Sequence, residues 1–349
     1  MQTVERKTPL AHKFLEDIDR LYAQSSAPQT LLLPEIYDKG FQDIVNIFSA
    51  YSDMNLQVSY SDVVSPLVVG KYPSKNIIVC FSGGRDSFVT ARHYQKLGYN
   101  VMLYYVDGLN GVYSYGGTEL EVVRKAADYL GLPLTVESIK YHGHHTWFEH
   151  PLKNMLLWSM ALSWGILHDY SIKVATGNFT TAKLDDNPFP VCAGDCVEVL
   201  NSFESIVRRF IPKFRMYHPS RNLQTTMNYF LKNPDELKYV VSCMTPIRFR
   251  NQFRERTIGN YGVELLPNRC GCCWKDCTEY IWAVDHNIRP LDRPYYLHCI
   301  NVLANTMKRE RGIRPFFVFD VWNEYMLYKF EKSKLYEELQ YARIPVIER

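Results

Sequence analysis

IIVCFSGGRDSFVTARHYQKLG, residues 77–98, decides how the rest of the chain is read. Its first five residues are apolar and rich in β-branched side chains, as a strand covered on both faces requires. The next six carry two glycines and two serines. From Phe88 to Leu97 apolar residues return at helical spacing until Gly98 stops them. A strand that turns through glycines into a helix lets backbone approach an anion closely, and the helix dipole favours negative charge at that point. No Gly-Lys-Ser/Thr follows, so the turn is not the Walker type, and it lacks the Gly-x-Gly-x-x-Gly spacing of dinucleotide folds.

Outward from this stretch the same alternation continues. Residues 101–106 read as a strand and 118–130 as an amphipathic helix ended by Gly131-Leu132-Pro133. Residues 134–139 form a third strand, 152–168 a helix apolar nearly all round, and 172–176 a fourth strand. Strands alternating with helices predict an α/β fold, a doubly wound parallel sheet covered on both faces. Four regions follow: an N-terminal extension (1–75) with a helical stretch at 10–22 and a β-branched run at 56–69; the nucleotide-type domain (76–205); a basic helical segment with a cysteine cluster (206–284); and a Tyr-rich helical C-terminal extension (285–349).

The chain has 349 residues, 46% hydrophobic, 22% charged and 14% aromatic, which excludes disorder, collagen and a disulfide mini-scaffold. Single cores rarely outgrow roughly 250–300 residues, so one enlarged domain or two are expected. The apolar run at 154–168 is shorter than the roughly 18 residues of a membrane helix, and no membrane span is expected. The N-terminus mixes acids and bases where a secretory signal is apolar, which predicts a cytoplasmic protein with reduced cysteines. A net charge of +3 is too small to imply a nucleic-acid partner, but residues 208–256 hold 11 Lys or Arg against three acids. That segment is either a solvated helical face or a surface for the phosphates of ATP, RNA or DNA.

Four of the nine cysteines, Cys270, Cys272, Cys273 and Cys277, crowd into one short run, a spacing that suits a metal better than disulfides. Cys270, Cys273 and Cys277 are the firmest thiolate ligands, and Cys272 completes the expected set. Upstream Cys243, in strand-like VVSCMTPI text, and Cys299 with His298 are the other choices for the fourth position. An iron–sulfur cluster is the alternative to zinc. His142, His144, His145 and His150 read as a solvent-facing loop. Trp147 and Trp158 read as core.

The hexapeptide Ser82-Gly83-Gly84-Arg85-Asp86-Ser87 resembles the SGGxDS loop of the PP-loop ATP pyrophosphatases. Further on come Ala175-Thr176-Gly177-Asn178, Asp185-Asp186, Cys192, Asp195, Met244-Thr245-Pro246-Ile247 and the Cys-Gly-Cys-Cys cluster. In that order the text resembles the 7-cyano-7-deazaguanine synthase (QueC) family over roughly residues 76–282. That family carries a CGxCxxC zinc motif with a further cysteine upstream. The chain departs from the family at Lys153, where arginine is usual, and at Ala193-Gly194, where an Arg-Asp pair is usual.

The resemblance implies a PP-loop fold of the adenine nucleotide alpha hydrolase type, with ATP held by Ser82, Gly83, Gly84, Arg85, Asp86 and Ser87 and flanked by Asp107, Thr176 and Gly177. It gives Asp86, Ser87, Lys153 and Asp195 catalytic roles, and it implies Mg²⁺ between phosphates and Zn²⁺ on the cysteines. The implied chemistry is adenylation of a carboxylate, that of 7-carboxy-7-deazaguanine or a related deazapurine, followed by displacement by ammonia to an amide and, after a second activation, to a nitrile. A PP-loop tRNA-modifying or thiolating enzyme is the first alternative, with RNA gripped by 208–256. A scaffold that binds a protein partner through its extensions is the second. A homo-oligomer is compatible with either. Asp185-Asp186 would lie on the active-site side of such a sheet, as would the loop with Tyr113, Tyr115 and Gly116-Gly117, which either covers the nucleotide or is a plain turn.

Overall fold

The computed structural model describes residues 29–32, 56–59, 71–107, 118–138, 150–177, 197–219, 223–241, 243, 245 and 247–313. The chain divides into two compact units, one made of 1–181, 192–221 and 236–241, the other of 182–191, 222–235 and 242–349.

The first unit is built on a five-stranded, all-parallel sheet. In chain order its elements are β3 (Asn76–Cys80), α1 (Arg85–Lys96), β4 (Asn100–Asp107), α2 (Thr118–Leu130), β5 (Leu134–Ser138), α3 (His150–Leu167), β6 (Val174–Ala175), α4 (Val197–Phe210) and β7 (Met216–Tyr217). The order across the sheet is β5-β4-β3-β6-β7. Ile78 pairs with Met102 on one side and Val174 on the other, which makes β3 the centre. Ile77, Ile78 and Val79 are fully buried, each such side chain contributing roughly 1.5–3 kcal/mol. The right-handed rule for parallel crossovers assigns α1 and α2 to one face and α3 to the other, and Phe88 of α1 stacks on Tyr129 of α2 at 6.2 Å. This is a Rossmann-like α/β fold, as the alternation of strand and helix requires. The expected elements from 77 to 176 are all present with ends shifted by a few residues; β7 has only two residues and no sequence signal marks it.

β1 (Gln29–Leu32) and β2 (Leu56–Ser59) form a separate two-stranded parallel sheet within the N-terminal extension. The helix expected at 10–22 lies outside the described residues. Among the described residues no helix is long and apolar enough to cross a membrane.

α3 is apolar all round because both its surroundings and its own turns are buried: Met155, Ser159, Ala161 and Leu162 are fully enclosed, and the Ser159 hydroxyl is satisfied by Met155 O at 2.8 Å. The helix meets β3 at Gly165, where an added Cβ would lie 2.1 Å from Ser171 O and 2.5 Å from Ile78 Cδ1. Gly165→Ala is therefore expected to cost about 3 kcal/mol, the upper range for overpacking, read as a lower urea midpoint.

On β5, Glu137 accepts a hydrogen bond from the Tyr104 hydroxyl at 2.6 Å. Burial pushes its carboxyl above the ordinary 4.5, against the opposing pull of Tyr104 and His168. A proton held more tightly in the folded state stabilises fully below the unfolded value, and that contribution is lost as pH rises through the folded one. Glu137→Gln, which keeps an acceptor for Tyr104, is expected to match the wild type in urea unfolding at pH 4 and to exceed it at pH 7.

The second unit contains α5 (Leu223–Lys232), α6 (Ile247–Tyr261), α7 (Trp274–Asp285) and α8 (Arg293–Ile313). α7 and α8 share an apolar core of Cys277, Tyr280, Ile281, Tyr295, Cys299 and Ile300 with Val263 and Leu265. Within the C-terminal extension residues 293–313 are helical, as expected; residues 314–349 lie outside the described residues.

Candidate functional site

The chain leaves β3 toward β4, whereas β6 occupies β3's other edge. The loop after β3 and the end of β6 thus flank the point where strand order reverses, the place where open parallel sheets bind ligands. The loop is braced from within. Ser87 Oγ donates to Gly84 O at 3.1 Å and accepts from Ser82 N at 3.3 Å, and the Ser82 and Ser87 hydroxyls lie 3.3 Å apart. Gly84 N points at Ser82 Oγ, 3.3 Å away. Gly83 sits at φ +72°, a left-handed conformation that glycine adopts without strain. Gly84 caps α1 without any side-chain cap, so the first turn of the helix opens directly onto the loop.

Gly177, two residues beyond β6, explains its own identity. A Cβ there would lie 3.2 Å from Asp86 Cβ and 3.6 Å from Ser87 N, so glycine lets the end of β6 approach the start of α1 without displacing it. Thr176 N is held by Tyr217 O at 3.0 Å, which ties the same corner to β7. Ser82 is exposed, Gly84 and Asp86 are half-buried, and Gly83, Arg85 and Ser87 are buried. Asp107 is half-buried at the end of β4, on the same edge of the sheet. The structure therefore collects Ser82, Gly83, Gly84, Arg85, Asp86, Ser87, Thr176 and Gly177 at one corner. Lys153 lies on α3, but its side chain is outside the described residues, as are Asp185, Asp186, Ala193, Gly194, Asp195 and the loop from Tyr113 to Gly117.

The second unit holds a cysteine-rich group that could hold a metal. Ligand atoms of Cys243, Cys270, Cys273 and Asp276 all lie within 4.8 Å of one another. Cys273 caps α7, and Gly271 turns the preceding backbone at φ +73°. Cys270 Sγ accepts from Cys272 N at 3.4 Å, Cys273 N at 3.3 Å and the Thr245 hydroxyl at 3.0 Å. Hydrogen bonds from Cys243, Cys272 and Cys273 lead in driving the Cys270 thiol far below its ordinary range. The hydrogen bond to Cys270 in turn pushes Cys243 up to about 12, and burial pushes Asp276 up to about 7. With Cys270 carrying the charge, the neighbouring acids hold their protons unless a cation takes their place.

Cys243 and Cys273 sulfurs, both in the group, are 3.7 Å apart. A tetrahedron with Zn–S bonds near 2.3 Å has edges of about 3.8 Å, so the spacing fits zinc. Asp276 Oδ2 accepts from Cys270 N at 2.7 Å and Gly271 N at 3.1 Å. Its Oδ1 is buried without a hydrogen-bond partner. Arg269 Nε stands 3.8 Å from that oxygen, and the same guanidinium makes two shorter bonds to Glu279, at 2.8 and 3.0 Å. An enclosed carboxylate oxygen left this way is what a bound cation would satisfy.

Of the four expected ligands, Cys270 and Cys273 fall in the group and Cys272 lies beside it. Cys277 stands apart, in the apolar core with Cys299. Successive helical residues are rotated by about 100°, so Asp276 folds back over the 270–271 turn whereas Cys277 turns onto the face that meets α8. Asp276 was missed because it is not a cysteine. The signal was available in the even spacing Cys270-x₂-Cys273-x₂-Asp276, which puts a carboxylate where CGxCxxC has its last thiol.

Several bases of the 208–256 segment are occupied by the fold. Arg250 is buried and donates to Thr245 O at 3.2 Å; Arg254 donates to the carbonyls of Leu265, Leu266 and Arg269. Arg215 pairs with Glu204 at 2.9 Å, and Arg208 approaches the same carboxylate at 4.0 Å. Lys213, Lys232, Lys238 and Arg256 are exposed.

No protein-family model and no curated protein matches the chain. Among solved structures the chain is similar to the predicted subunit of tRNA methyltransferase from Methanocaldococcus jannaschii DSM, at 19% identity and a TM-score of 0.28, over 44% of this chain and 72% of that one. A likeness of that size carries no functional argument.

Proposed function

We propose that the chain is an ATP-dependent carbon–nitrogen ligase of the 7-cyano-7-deazaguanine synthase type, which adenylates a carboxylate and releases pyrophosphate. The observation that carries this reading is the position of the SGGRDS loop: it lies at the sheet's switch point, with Gly177 packed on Asp86 so that the ends of β3 and β6 share one corner. In this reading Ser82, Gly83 and Gly84 cradle the β and γ phosphates, and the first turn of α1 aims its dipole at them. Charge builds on the departing pyrophosphate as AMP is transferred, so donors fixed there favour the transition state. Asp86, half-exposed at the first turn, would hold Mg²⁺, which supplies further neutralisation of that charge.

Zn²⁺ would be held by Cys243, Cys270, Cys273 and Asp276 and would brace the fold of the second unit. A site with four protein ligands leaves no open position, which gives the metal a structural role.

The test is to supply 7-carboxy-7-deazaguanine, ATP, Mg²⁺ and ammonium and to follow AMP together with the amide and nitrile by mass spectrometry. Nitrile supports the full synthase reaction, and amide alone supports a ligase that stops at the first activation. AMP released only on RNA would replace this reading with a tRNA-modifying one, and no AMP on any acceptor would refute it.

A further inference from the structure

The two glycines that let the loop approach an anion also leave it a conformational problem. A peptide unit flanked by glycines can flip at little steric cost, and a flip would turn the N–H of Gly84 away and present a carbonyl to the phosphates. In the structure the carbonyl of that peptide, Gly83 O, accepts a hydrogen bond from Val241 N at 2.9 Å. Because C=O and N–H of a trans peptide point in opposite directions, this bond aims Gly84 N–H into the loop, where Ser82 Oγ lies.

Val241 ends a short strap that is itself fastened to α1 and α2. The 3₁₀ helix Pro234–Tyr239 precedes it. Tyr239 stacks on Tyr129 with ring centroids 3.7 Å apart and planes at 15°. Glu236 is bonded by Arg92 at 2.9 Å and by the Tyr129 hydroxyl at 3.2 Å. The Arg92 guanidinium also lies over the Tyr129 ring at 5.3 Å. Leu237 and Val240 are buried between these fastenings. None of these side chains belongs to the SGGRDS motif, and the strap lies far from the loop in sequence.

We infer that residues 236–241 act as a positioning strap that locks the Gly83–Gly84 peptide in its anion-binding orientation, with Tyr239 and Val241 as the positioning residues. The inference rests on the phosphate-binding reading of the loop and adds what holds that loop ready.

The test uses the full chain, with ATP and Mg²⁺ as the probe in calorimetric titration. Val241→Pro removes the donor and Val241→Ala keeps it; Tyr239→Ala removes the stack and Tyr239→Phe keeps it. Val241→Pro and Tyr239→Ala are expected to weaken ATP binding about tenfold, while Val241→Ala and Tyr239→Phe bind as the wild type does. Should Val241→Pro fail to fold, Tyr239→Ala serves alone, and its Val241 amide is expected to exchange with deuterium faster than in the wild type. Wild-type affinity in Tyr239→Ala, alongside lost affinity in Ser87→Ala, would overturn the strap and leave the phosphate loop standing. A wild-type protein that binds no ATP would overturn the loop reading and the strap together.

Discussion

Ser87→Ala is expected to lower ATP-dependent AMP formation about 10²-fold and to leave the sheet intact. The magnitude is that of losing one well-placed polar group at a site of developing charge. The hydroxyl bonds Gly84 O and Ser82 N at once, so it closes the loop on itself across the first turn of α1. Its removal unties Ser82 N and leaves Gly84 O with Phe88 N alone. Ser87→Thr retains the hydroxyl and is expected to recover part of the rate. Circular dichroism unchanged from the wild type, with AMP formation still near its original rate, would show that the loop does not handle phosphates.

The second large effect belongs to the metal. The isolated protein is expected to carry about one zinc per chain, and Cys270→Ser is expected to carry almost none and to lose much of its thermal stability, since binding free energy at a structural site is folding free energy. Cys270 is the demanding test because its sulfur accepts from the Thr245 hydroxyl, the Cys272 thiol and the Cys272 and Cys273 amides, and so organises the turn before α7. The choice of fourth ligand is tested by a pair. Asp276→Asn is expected to weaken metal binding, and Cys272→Ser to retain it. The reverse result would give the place to Cys272. Iron in elemental analysis, or a brown protein, would refute zinc altogether.

The first of these sites was legible and the second only in part, for physical reasons. A strand–glycine–helix loop is local: its parts follow one another, so residues 77–98 announce both the fold and the corner at which the loop lies. Gly177 is legible only as part of a short motif; its close approach to Asp86 is a contact that no spacing reveals. The metal group is non-local. Cys243 joins Cys273 through space, and sequence distance argued against it. Cys277 had suitable spacing, but its helical phase turns it to the core. The basic excess of 208–256 shows the same limit from another side: a count of charges does not separate Arg254, spent on three carbonyls, from Lys213, left in water. The strap from 236 to 241 has no sequence signature, because its tie to the loop is a backbone bond.

The order of strands also bears on how the chain comes to be folded as it is made. β3 meets β4 early: Asn76 and Asn100, bonded side chain to side chain at 3.0 Å, are 24 residues apart. The other flank of β3 waits much longer. Its Asn76 side chain reaches Tyr170 O at 3.1 Å across 94 residues, and β6 lies beyond that point. Closing so long a loop costs conformational entropy before any pairing repays it. A ribosome that has released only the first half of the first unit therefore holds a β5-β4-β3 sheet whose most apolar strand is an open edge, a template for pairing with a neighbouring nascent chain. Synthesis through β6 removes that hazard, and variants that slow the docking of α3, Gly165→Ala first among them, are expected to prolong it and to appear as aggregation during expression.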